Sequence, residues 1–282
     1  MIKETKELRD KYSPEGSNLR QEQLYLLDML IDFDRFCSKH GINYFLDSGT
    51  LIGAIRHNGF IPWDDDIDLL LFPKDFKKLI SVASSNSESV MGRFVLHSLQ
   101  TDFNYPFLYP KFRDESHPAG SSNPQRARLY KFKGTGIDLL PVQRTNTTVA
   151  RICAFLYQSL IAKITYKIES APLRLMYTRS MQFLLLKVLF PIINFPVLLF
   201  GDKDEYHFSL GIAWPKRRMY KSKYFPAKKS LFEGKEFPIP NDYDFYLTNS
   251  YGDYMKVPSD EQIMCGIHSE KYKEEIQARI KK

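Results

Sequence analysis

The chain has 282 residues, of which 43% are hydrophobic and 14% aromatic, enough for one large domain or a core domain with an insertion. This composition excludes a largely disordered protein. The net charge of +7 favours acidic partners such as nucleotide phosphates, nucleic acid or an anionic membrane, although a merely solvated basic surface would give the same excess.

The three cysteines, Cys37, Cys153 and Cys265, are far apart in the sequence. Their odd number argues against a disulfide framework, and their spacing does not match a zinc site. Residues 1–16 are charged and contain no apolar segment typical of a signal peptide. We therefore expect a cytoplasmic protein in a reducing compartment.

The first elements follow from helical spacing and turn residues. Leu24, Leu27 and Ile31 predict a helix over residues 19–40, which Gly41 ends. Residues 42–46 are apolar and aromatic and predict a buried strand. A short helix over residues 51–56 follows, with Ser48 or Thr50 as its cap.

The remaining predicted elements are strands and helices on either side of a long apolar region. An acidic run leads into a strand at residues 67–72, and Pro73 opens a helix to about residue 83. Further strands are predicted at 94–99, 107–112 and 137–142. Residues 149–200 are predicted to form helices broken at Pro172, Pro191 and Pro196. A hairpin at 231–237, a helix capped by residues 240–242 and a last helix from 269 complete the predicted elements.

Four carboxylates lie within five positions at Asp64, Asp65, Asp66 and Asp68. Side chains alternate along a strand, so Asp66 and Asp68 share a face that Asp64 can join. Carboxylates held this close repel each other unless a cation lies between them. Mg²⁺ or Mn²⁺ suits such oxygen ligands and would neutralise charge during transfer of a phosphate-linked group.

A third acid would complete the site, and Asp138 is the best candidate. It lies in an apolar strand, where a carboxylate without a partner is costly. The alternative for Asp138 is a strand-end aspartate bound to backbone amides. The alternatives for the acidic run are an acidic turn or a calcium loop, but the later glutamate that such a loop needs is absent.

A glycine-containing turn precedes the acids. Gly49 at a strand-to-helix turn would let backbone amides approach a phosphate, although a plain helix cap is the simpler reading. The order of strand, turn, short helix and Asp-x-Asp strand resembles the nucleotidyltransferase superfamily. The resemblance implies that the turn holds donor phosphates and that a third acid lies on a neighbouring strand.

A longer motif narrows the resemblance to a family. Residues 46–68 read LDSGTLIGAIRHNGFIPWDDDID, residues 136–138 read GID, and residues 251–255 read YGDYM with Pro258 following. These segments are similar to the LicD/fukutin family, over about residues 20–145 and 230–268. The family's C-terminal motif often continues to adjacent histidines, whereas only His268 is present here, which puts a catalytic role of that element in doubt.

The resemblance implies a fold and an activity. The fold is α+β, a nucleotidyltransferase-like mixed β-sheet flanked by helices, with a helical insertion. Bacterial members transfer phosphocholine from CDP-choline to cell-surface glycans, animal members transfer ribitol phosphate from CDP-ribitol, and a fungal branch is linked to mannose phosphate. The implied metal ligands are Asp64, Asp66, Asp68 and Asp138; the implied catalytic residues are Asp66, Asp68 and Asp138; the implied donor-binding residues are Ser48, Gly49, Thr50 and Arg56.

Other polar residues have two readings each. Lys111 and Arg113 share a strand face and would bind donor phosphate or an anionic acceptor, unless that face is simply solvated. His57 is a donor-site residue or a packing residue. A second alternating basic set would bind phosphate or form a plain basic edge: Arg126, Arg128, Lys131 and Lys133.

Residues 181–200 form the most hydrophobic stretch. The length approaches that of a spanning helix, but Pro191, Pro196 and Lys187 argue against one. A buried helical subdomain and a helix pair lying on the membrane are the alternatives. Flanking basic residues favour peripheral contact with the cytoplasmic face of the inner membrane, which would suit a lipid-linked glycan acceptor.

These readings predict three parts: a catalytic core at 1–148, an apolar helical insertion at 149–205, and a C-terminal part at 206–282 that completes the catalytic domain. The expected function is metal-dependent transfer of a phosphoalcohol from a CDP-activated donor to a sugar of lipopolysaccharide, teichoic acid or capsule. The alternatives are a nucleotidyltransferase and a basic membrane-associated adaptor. No RNA-binding motif stands out, so no nucleic-acid partner is expected.

Overall fold

A computed structural model describes residues 3–85, 94–118, 127–208, 218–267 and 269–280. Its mixture of helices and sheet is the predicted α+β class. The α-helices are α1 (Lys3–Tyr12), α2 (Asn18–His40), α3 (Ser48–His57), α4 (Pro73–Ser85), α5 (Thr147–Tyr157), α6 (Ala171–Phe183), α7 (Phe190–Phe200), α8 (Lys221–Tyr224), α9 (Tyr243–Tyr251), α10 (Asp260–Gly266) and α11 (Glu270–Ile280).

The main sheet has the strand order β1-β2-β5-β4-β3, and β6 and β7 extend it from the end of β5. Among the described strands, only β2 and β5 pair in parallel. A separate hairpin is formed by β8 and β9. The strands are β1 (Phe45–Leu46), β2 (Asp68–Leu71), β3 (Phe94–His97), β4 (Lys111–Pro118), β5 (Gly134–Arg144), β6 (Glu205–Phe208), β7 (Met219–Tyr220), β8 (Lys228–Phe232) and β9 (Lys235–Ile239).

Helix α2 confirms the prediction for residues 19–40. The Ser17 side chain accepts a hydrogen bond from the Arg20 N–H at its start, and Gly41 ends it with φ of 57°. Its buried face includes Leu30 and Phe33, and the Phe33 ring meets Phe112 of β4 at 5.4 Å. Each such buried side chain contributes about 1.5–3 kcal/mol. This packing fixes the helix across the sheet that carries the site.

Several predicted boundaries were wrong. The strand predicted at 42–46 is reduced to β1, and the one at 107–112 begins only at Lys111. Neither Ser48 nor Thr50 caps α3, because Asp47 occupies the cap position and the Thr50 hydroxyl accepts the Asp68 N–H instead. Residues 3–12, 205–208 and 219–220 form elements that the sequence reading missed, since they are short or lack periodic apolar spacing.

The two ends of the chain meet around Glu233, in the turn between β8 and β9. The Glu233 carboxylate accepts hydrogen bonds from Arg9 at 2.7 Å, from Arg20 at 2.8 Å and from the Phe60 N–H at 3.2 Å. The Glu233 N–H donates to the Asn58 carbonyl at 2.9 Å. The predicted hairpin therefore exists, and it holds the turn that leads into the acidic run.

The helices of residues 147–200 pack outside the main core. The main hydrophobic cluster joins residues from the N-terminal part, the sheet and the C-terminal part, whereas this region forms two small clusters around Val197 and Leu185. We call residues 147–200 the helical unit. Its separate packing is consistent with the three-part division, whose boundaries stay a prediction.

Two of the three prolines do not break the helical unit. A single helix runs from Ala171 to Phe200, with a π-helical segment at Leu184–Leu189 and with Pro191 and Pro196 within its second half. The prediction of breaks at these two prolines was wrong. A wider helical turn ahead of Pro191 can relieve the clash that a proline ring makes with the preceding turn.

Candidate active site

Asp68 and Asp138 lie side by side at the centre of the sheet. They are direct partners in the parallel pairing of β2 with β5, and the Asp138 N–H donates to the Ile67 carbonyl at 2.9 Å. Directly paired residues on neighbouring strands point to the same face. The structure therefore brings the acidic run and the third acid into one place.

Asp47 is a further acid of this site that the sequence reading missed. It follows β1, its N–H donates to the Asp68 carbonyl at 3.0 Å, and its side chain is fully buried. The Ser48 hydroxyl donates to its carboxylate at 3.0 Å. The available signal was an aspartate directly after a predicted buried strand, a position that faces the end of the neighbouring strand.

The charges of this cluster are strongly unfavourable to one another. Burial raises the pKa of Asp68 well above its usual value, and the negative charges of Asp66, Asp138, Asp47 and Asp64 raise it further. Burial also raises the pKa of Asp138, while the Lys111 ammonium partly opposes that rise. A site with this much negative charge favours protons or a bound cation.

The residues before Asp68 are arranged differently from the prediction. Residues 64–67 are not in a strand, so the alternation argument does not apply to Asp64 and Asp66. Asp64 nevertheless reaches the glycine turn, because a Cβ added to Gly49 would lie 2.5 Å from its Oδ2 atom. Asp65 accepts the Ser269 N–H at 3.1 Å and so contacts the C-terminal part.

Lys111 forms an ion pair with one of these acids. It is paired with Asp138 across β4 and β5, and its ammonium contacts the Asp138 Oδ1 atom. Both side chains are largely buried, with 24% and 14% exposure. Lys111 therefore lies beside the acids, and a phosphate-binding role for it stays a prediction.

Arg113 lies two residues further along the same strand face and is held inside the protein. Its Nε–H donates to His97 Nδ1 at 2.9 Å, and its guanidinium also donates to the Gly134 carbonyl. His97 in turn contacts Asp102 at 2.9 Å. These contacts position the start of β5, and a phosphate-binding role for Arg113 stays a prediction.

The Ser48-Gly49-Thr50 turn is the first turn of α3. Ser48 has φ of 49°, in the left-handed region that a serine rarely adopts. Thr50 accepts the Asp68 N–H at 2.9 Å and so ties the turn to β2. Gly49 is close to Asp64, and any larger residue there would meet the Asp64 carboxylate.

Arg56 and His57 connect α3 to both chain ends. Arg56 donates to His57 Nε2 at 2.8 Å and to the Tyr254 carbonyl at 2.7 Å. His57 also contacts the Thr5 hydroxyl at 3.0 Å. Burial lowers the pKa of His57 to about 3, and the nearby Arg56 charge contributes, so the imidazole is neutral. This supports the packing reading for His57, while donor binding by Arg56 stays a prediction.

The remaining predicted residues lie apart from the acids or outside the described part. Lys131 and Lys133 are exposed in the loop before β5, and Arg128 is exposed nearby, while Arg126 and His268 lie outside the described residues. In the C-terminal motif, the Tyr254 hydroxyl donates to Asp244 at 2.7 Å. The Tyr254 carbonyl also accepts a hydrogen bond from Arg56, so the motif supports α3.

The donor set suits a hard divalent cation. The described residues contain no group of three or more His, Cys, Asp or Glu side chains already gathered around a common metal position. All the acids that raise the pKa of Asp68 nevertheless offer oxygen ligands, which Mg²⁺ and Mn²⁺ prefer. A cation among them would relieve the repulsion.

Comparison with known proteins identifies the class. The family described as LicD/FKTN/FKRP, nucleotidyltransferase domain, matches residues 41–182. These residues include the glycine turn, the acidic run, Lys111 and Asp138. The chain belongs to the LicD/FKTN/FKRP family.

Individual relatives agree with this assignment. Lipopolysaccharide cholinephosphotransferase LicD of Haemophilus influenzae is 26% identical over 255 residues, which cover 86% of this chain and 93% of that protein. Ribitol 5-phosphate transferase FKRP of Homo sapiens is 37% identical over 51 residues, which cover 18% of this chain and 10% of that protein.

Proposed function

We propose that this enzyme moves a phosphoalcohol such as phosphocholine from a CDP-activated donor to a sugar of a cell-surface glycan. Membership of the LicD/FKTN/FKRP family makes it a phosphotransferase. The observation that carries the finer proposal is the direct pairing of Asp68 with Asp138, which places a carboxylate cluster next to Lys111. The similarity to the cholinephosphotransferase extends over most of both chains and favours phosphocholine.

A divalent cation, Mg²⁺ or Mn²⁺, would be held by Asp64, Asp66, Asp68 and Asp138. When bound, it would neutralise negative charge on the donor phosphates. The fit rests on geometry: Asp68 pairs directly with Asp138, the Asp47 N–H donates to the Asp68 carbonyl, and Asp64 reaches the glycine turn beside them. Without a counter-charge such a cluster is costly to bury.

The chain's own residues would carry the other steps. An acceptor hydroxyl attacks the phosphorus that carries the alcohol, the bond from that phosphorus to the bridging oxygen breaks, and CMP leaves. Asp138, which lies at the centre of the sheet against the Lys111 ammonium, would accept the hydroxyl proton. Lys111 would neutralise a phosphate oxygen beside it.

The glycine turn would hold the remainder of the donor phosphates. Backbone amides at the start of α3 and the positive end of the helix attract anions. Ser48, Gly49 and Thr50 supply these amides, and the missing side chain at Gly49 leaves room for the Asp64 carboxylate beside them. Arg56 would act from the far end of α3, through its support of the helix or by reaching the donor.

The acceptor and the location are parts of the same proposal. A glycan of lipopolysaccharide, teichoic acid or capsule type, free or lipid-linked, would enter opposite the donor. All three cysteines are free, and Cys37 and Cys153 are buried, which fits a reducing cytoplasm. We place the enzyme there, at the cytoplasmic face of the membrane.

Two experiments test the proposal. Thermal melting with CDP-choline, CDP-ribitol, CDP-glycerol and sugar nucleotides, each with Mg²⁺ or Mn²⁺, should show the largest rise for the true donor. Turnover with that donor should release CMP and stop in excess EDTA. Pyrophosphate release would instead indicate the nucleotidyltransferase alternative, and wild-type turnover in excess EDTA would contradict the metal role.

The adaptor alternative makes a different prediction. A basic adaptor would bind anionic partners in a salt-sensitive way that survives Asp66→Ala. The phosphotransferase should lose donor turnover in the same variant. Measuring both properties on one preparation separates the two functions.

A further inference from the structure

The helix from Ala171 to Phe200 buries four polar side chains together with Leu185 and Val197, and it exposes many of its large apolar side chains. Along its length the buried positions include four polar residues: Arg174, Thr178, Gln182 and Asn194. The exposed positions include Phe183 at 65%, Phe195 at 58% and Phe200 at 87% exposure. Soluble proteins normally show the reverse arrangement on a surface helix.

The helical unit exposes many large apolar side chains. Only 17% of the most apolar window of this helix is buried. Helix α5 adds two exposed residues to the same unit. The apolar surface is defined by Ile152, Phe155, Leu173, Met176, Phe183, Ile192, Phe195, Leu198, Leu199 and Phe200.

Both ends of this helix are attached to the same body of the protein. Arg174 donates to the Asn104 side chain at 2.6 Å, and Asn194 donates to the Arg144 carbonyl at 3.1 Å. Between them, Leu185 packs against Tyr157 and its neighbours. Arg174 and Asn194 are twenty residues apart, about 30 Å along a helix, which equals the thickness of a bilayer's hydrocarbon core.

This attachment is incompatible with a helix that crosses the membrane. A spanning orientation would place Arg144 and Asn104, with the elements that carry them, at opposite bilayer faces. The hydrogen bonds at both ends instead require the helix to lie parallel to the protein surface. An apolar face exposed along such a helix suits the plane of a membrane interface.

The charges around the apolar surface select the partner. The helical unit contains six basic residues against one acidic residue, Glu169. Five of the basic residues are exposed: Arg151, Lys163, Lys167, Arg179 and Lys187. A second copy of this chain would bring the same positive charge and be repelled, whereas anionic headgroups would be attracted.

We propose that the helical unit docks in the plane of an anionic lipid bilayer, with the apolar surface inserted at the level of the headgroups and upper acyl chains. The docking does not depend on the proposed transfer reaction. It would place the loop containing Leu108, which packs against the helical unit just before Lys111, close to the lipid. The active-site side of the sheet is thereby linked to the membrane surface.

Flotation of the full chain with vesicles of phosphatidylglycerol and phosphatidylethanolamine tests the proposal without any donor. The wild type should float with these vesicles and much less with phosphatidylcholine alone. Replacing Phe183, Phe195 and Phe200 by Ser together should weaken vesicle affinity about 100-fold, because three large apolar side chains no longer insert. Leu231→Ser with Met255→Ser is the matched control, since both side chains are 49% exposed outside the helical unit.

Charge and topology are tested separately. Replacing Lys163, Arg179 and Lys187 by Gln should weaken binding at least tenfold, while Lys228→Gln with Lys229→Gln should change it less than twofold. Alkaline carbonate should release the wild type from the vesicles.

Three outcomes would overturn the proposal. They are no flotation of the wild type, equal flotation of the phenylalanine variant, and retention after carbonate treatment, which would indicate a spanning helix. Self-association of the wild type without lipid binding, lost in the phenylalanine variant, would assign the apolar surface to a second copy. If the phenylalanine variant fails to fold, flotation of the charge variant and flotation of the wild type in added salt still test the proposal.

Discussion

The sheet and the helical unit differ in which polar side chains they bury and in how many large apolar side chains they expose. In the sheet, apolar residues such as Leu69 and Leu139 are fully buried, and the few acids among them gather in one place. In the helical unit, Arg174 and Asn194 are buried with a few apolar residues, whereas large apolar side chains such as Phe200 are exposed. The comparison shows that burial alone does not identify function. Buried charge indicates the site in one region, and exposed apolar surface indicates the partner in the other.

The largest expected effect concerns the buried acids of the sheet. Asp68→Asn should reduce turnover about 1,000-fold, since it removes a group that interacts directly with the reacting charges. The melting temperature of the metal-free variant should equal or exceed that of the wild type, because one repelling charge is gone. CMP release and thermal melting measure the two quantities.

Asp65→Asn is the control for this prediction. Asp65 lies in the same acidic run but accepts the Ser269 N–H, which an asparagine oxygen can also do. Its turnover should stay within a few-fold of the wild type. Equal losses in the two variants would mean that the acidic run acts as a whole and that the pairing of Asp68 with Asp138 is not decisive.

The second prediction concerns Glu233, whose buried charge is balanced by nearby arginines. Burial favours the neutral form of Glu233, but hydrogen bonds and charges from Arg20 and Arg9 outweigh it and lower its pKa. Because this pKa is lower in the folded state, the ionised carboxylate stabilises the protein at pH values above its unfolded-state pKa of about 4.3. The stabilisation is lost as the pH falls through the folded-state pKa. Glu233→Gln should therefore cost about 3 kcal/mol at neutral pH.

Denaturant unfolding across pH checks this prediction. The stability difference between wild type and Glu233→Gln should shrink once the pH falls below about 4. Glu236→Gln changes an exposed residue of the same hairpin and should stay within about 0.5 kcal/mol of the wild type. A difference that stays constant down to the acid limit would show that the carboxylate charge is not the cause.

The third prediction concerns a polar residue that the helical unit buries. Asn194→Ala removes the hydrogen bond to the Arg144 carbonyl and should cost about 1 kcal/mol. If it holds the helix against the protein, amide hydrogen exchange within residues 190–200 should also accelerate. Unchanged exchange there would mean that the apolar contacts of Val197 alone fix this end.

The smallest expected effect concerns the apolar surface of the helical unit. Phe195→Ser changes a side chain that is 58% exposed, so unfolding without lipid should change by less than about 0.5 kcal/mol. Solubility should increase, which dynamic light scattering measures. A large loss of stability would mean that Phe195 belongs to the core.

The sequence predicted the elements with strong local signals. Helix α2 was predictable because its apolar spacing and the stop at Gly41 agree. The position of Asp138 beside Asp68 was predictable from the order of motifs. Asp47 was not, because its approach to Asp68 depends on the pairing of a two-residue strand. The contacts of Arg56 and Glu233 join residues about 200 positions apart, which local patterns do not report.

The buried polar residues of the helical unit were equally hidden. The sequence shows that residues 171–200 are largely apolar, but not which side of the helix faces the protein. Arg174 and Asn194 mark that side only once their partners are known. The apolar run therefore predicted helical structure and left its orientation to the tertiary structure.

The interlocked chain ends have a consequence for biosynthesis. Besides the contacts of Glu233, Tyr12 donates to Asp260 at 2.6 Å, and Arg279 donates to the Tyr12 carbonyl at 3.2 Å. A ribosome releases the acidic run long before these C-terminal partners emerge, while the outward phenylalanines appear in between. We expect the nascent chain to meet lipid before its catalytic centre closes, so that the enzyme matures already in place.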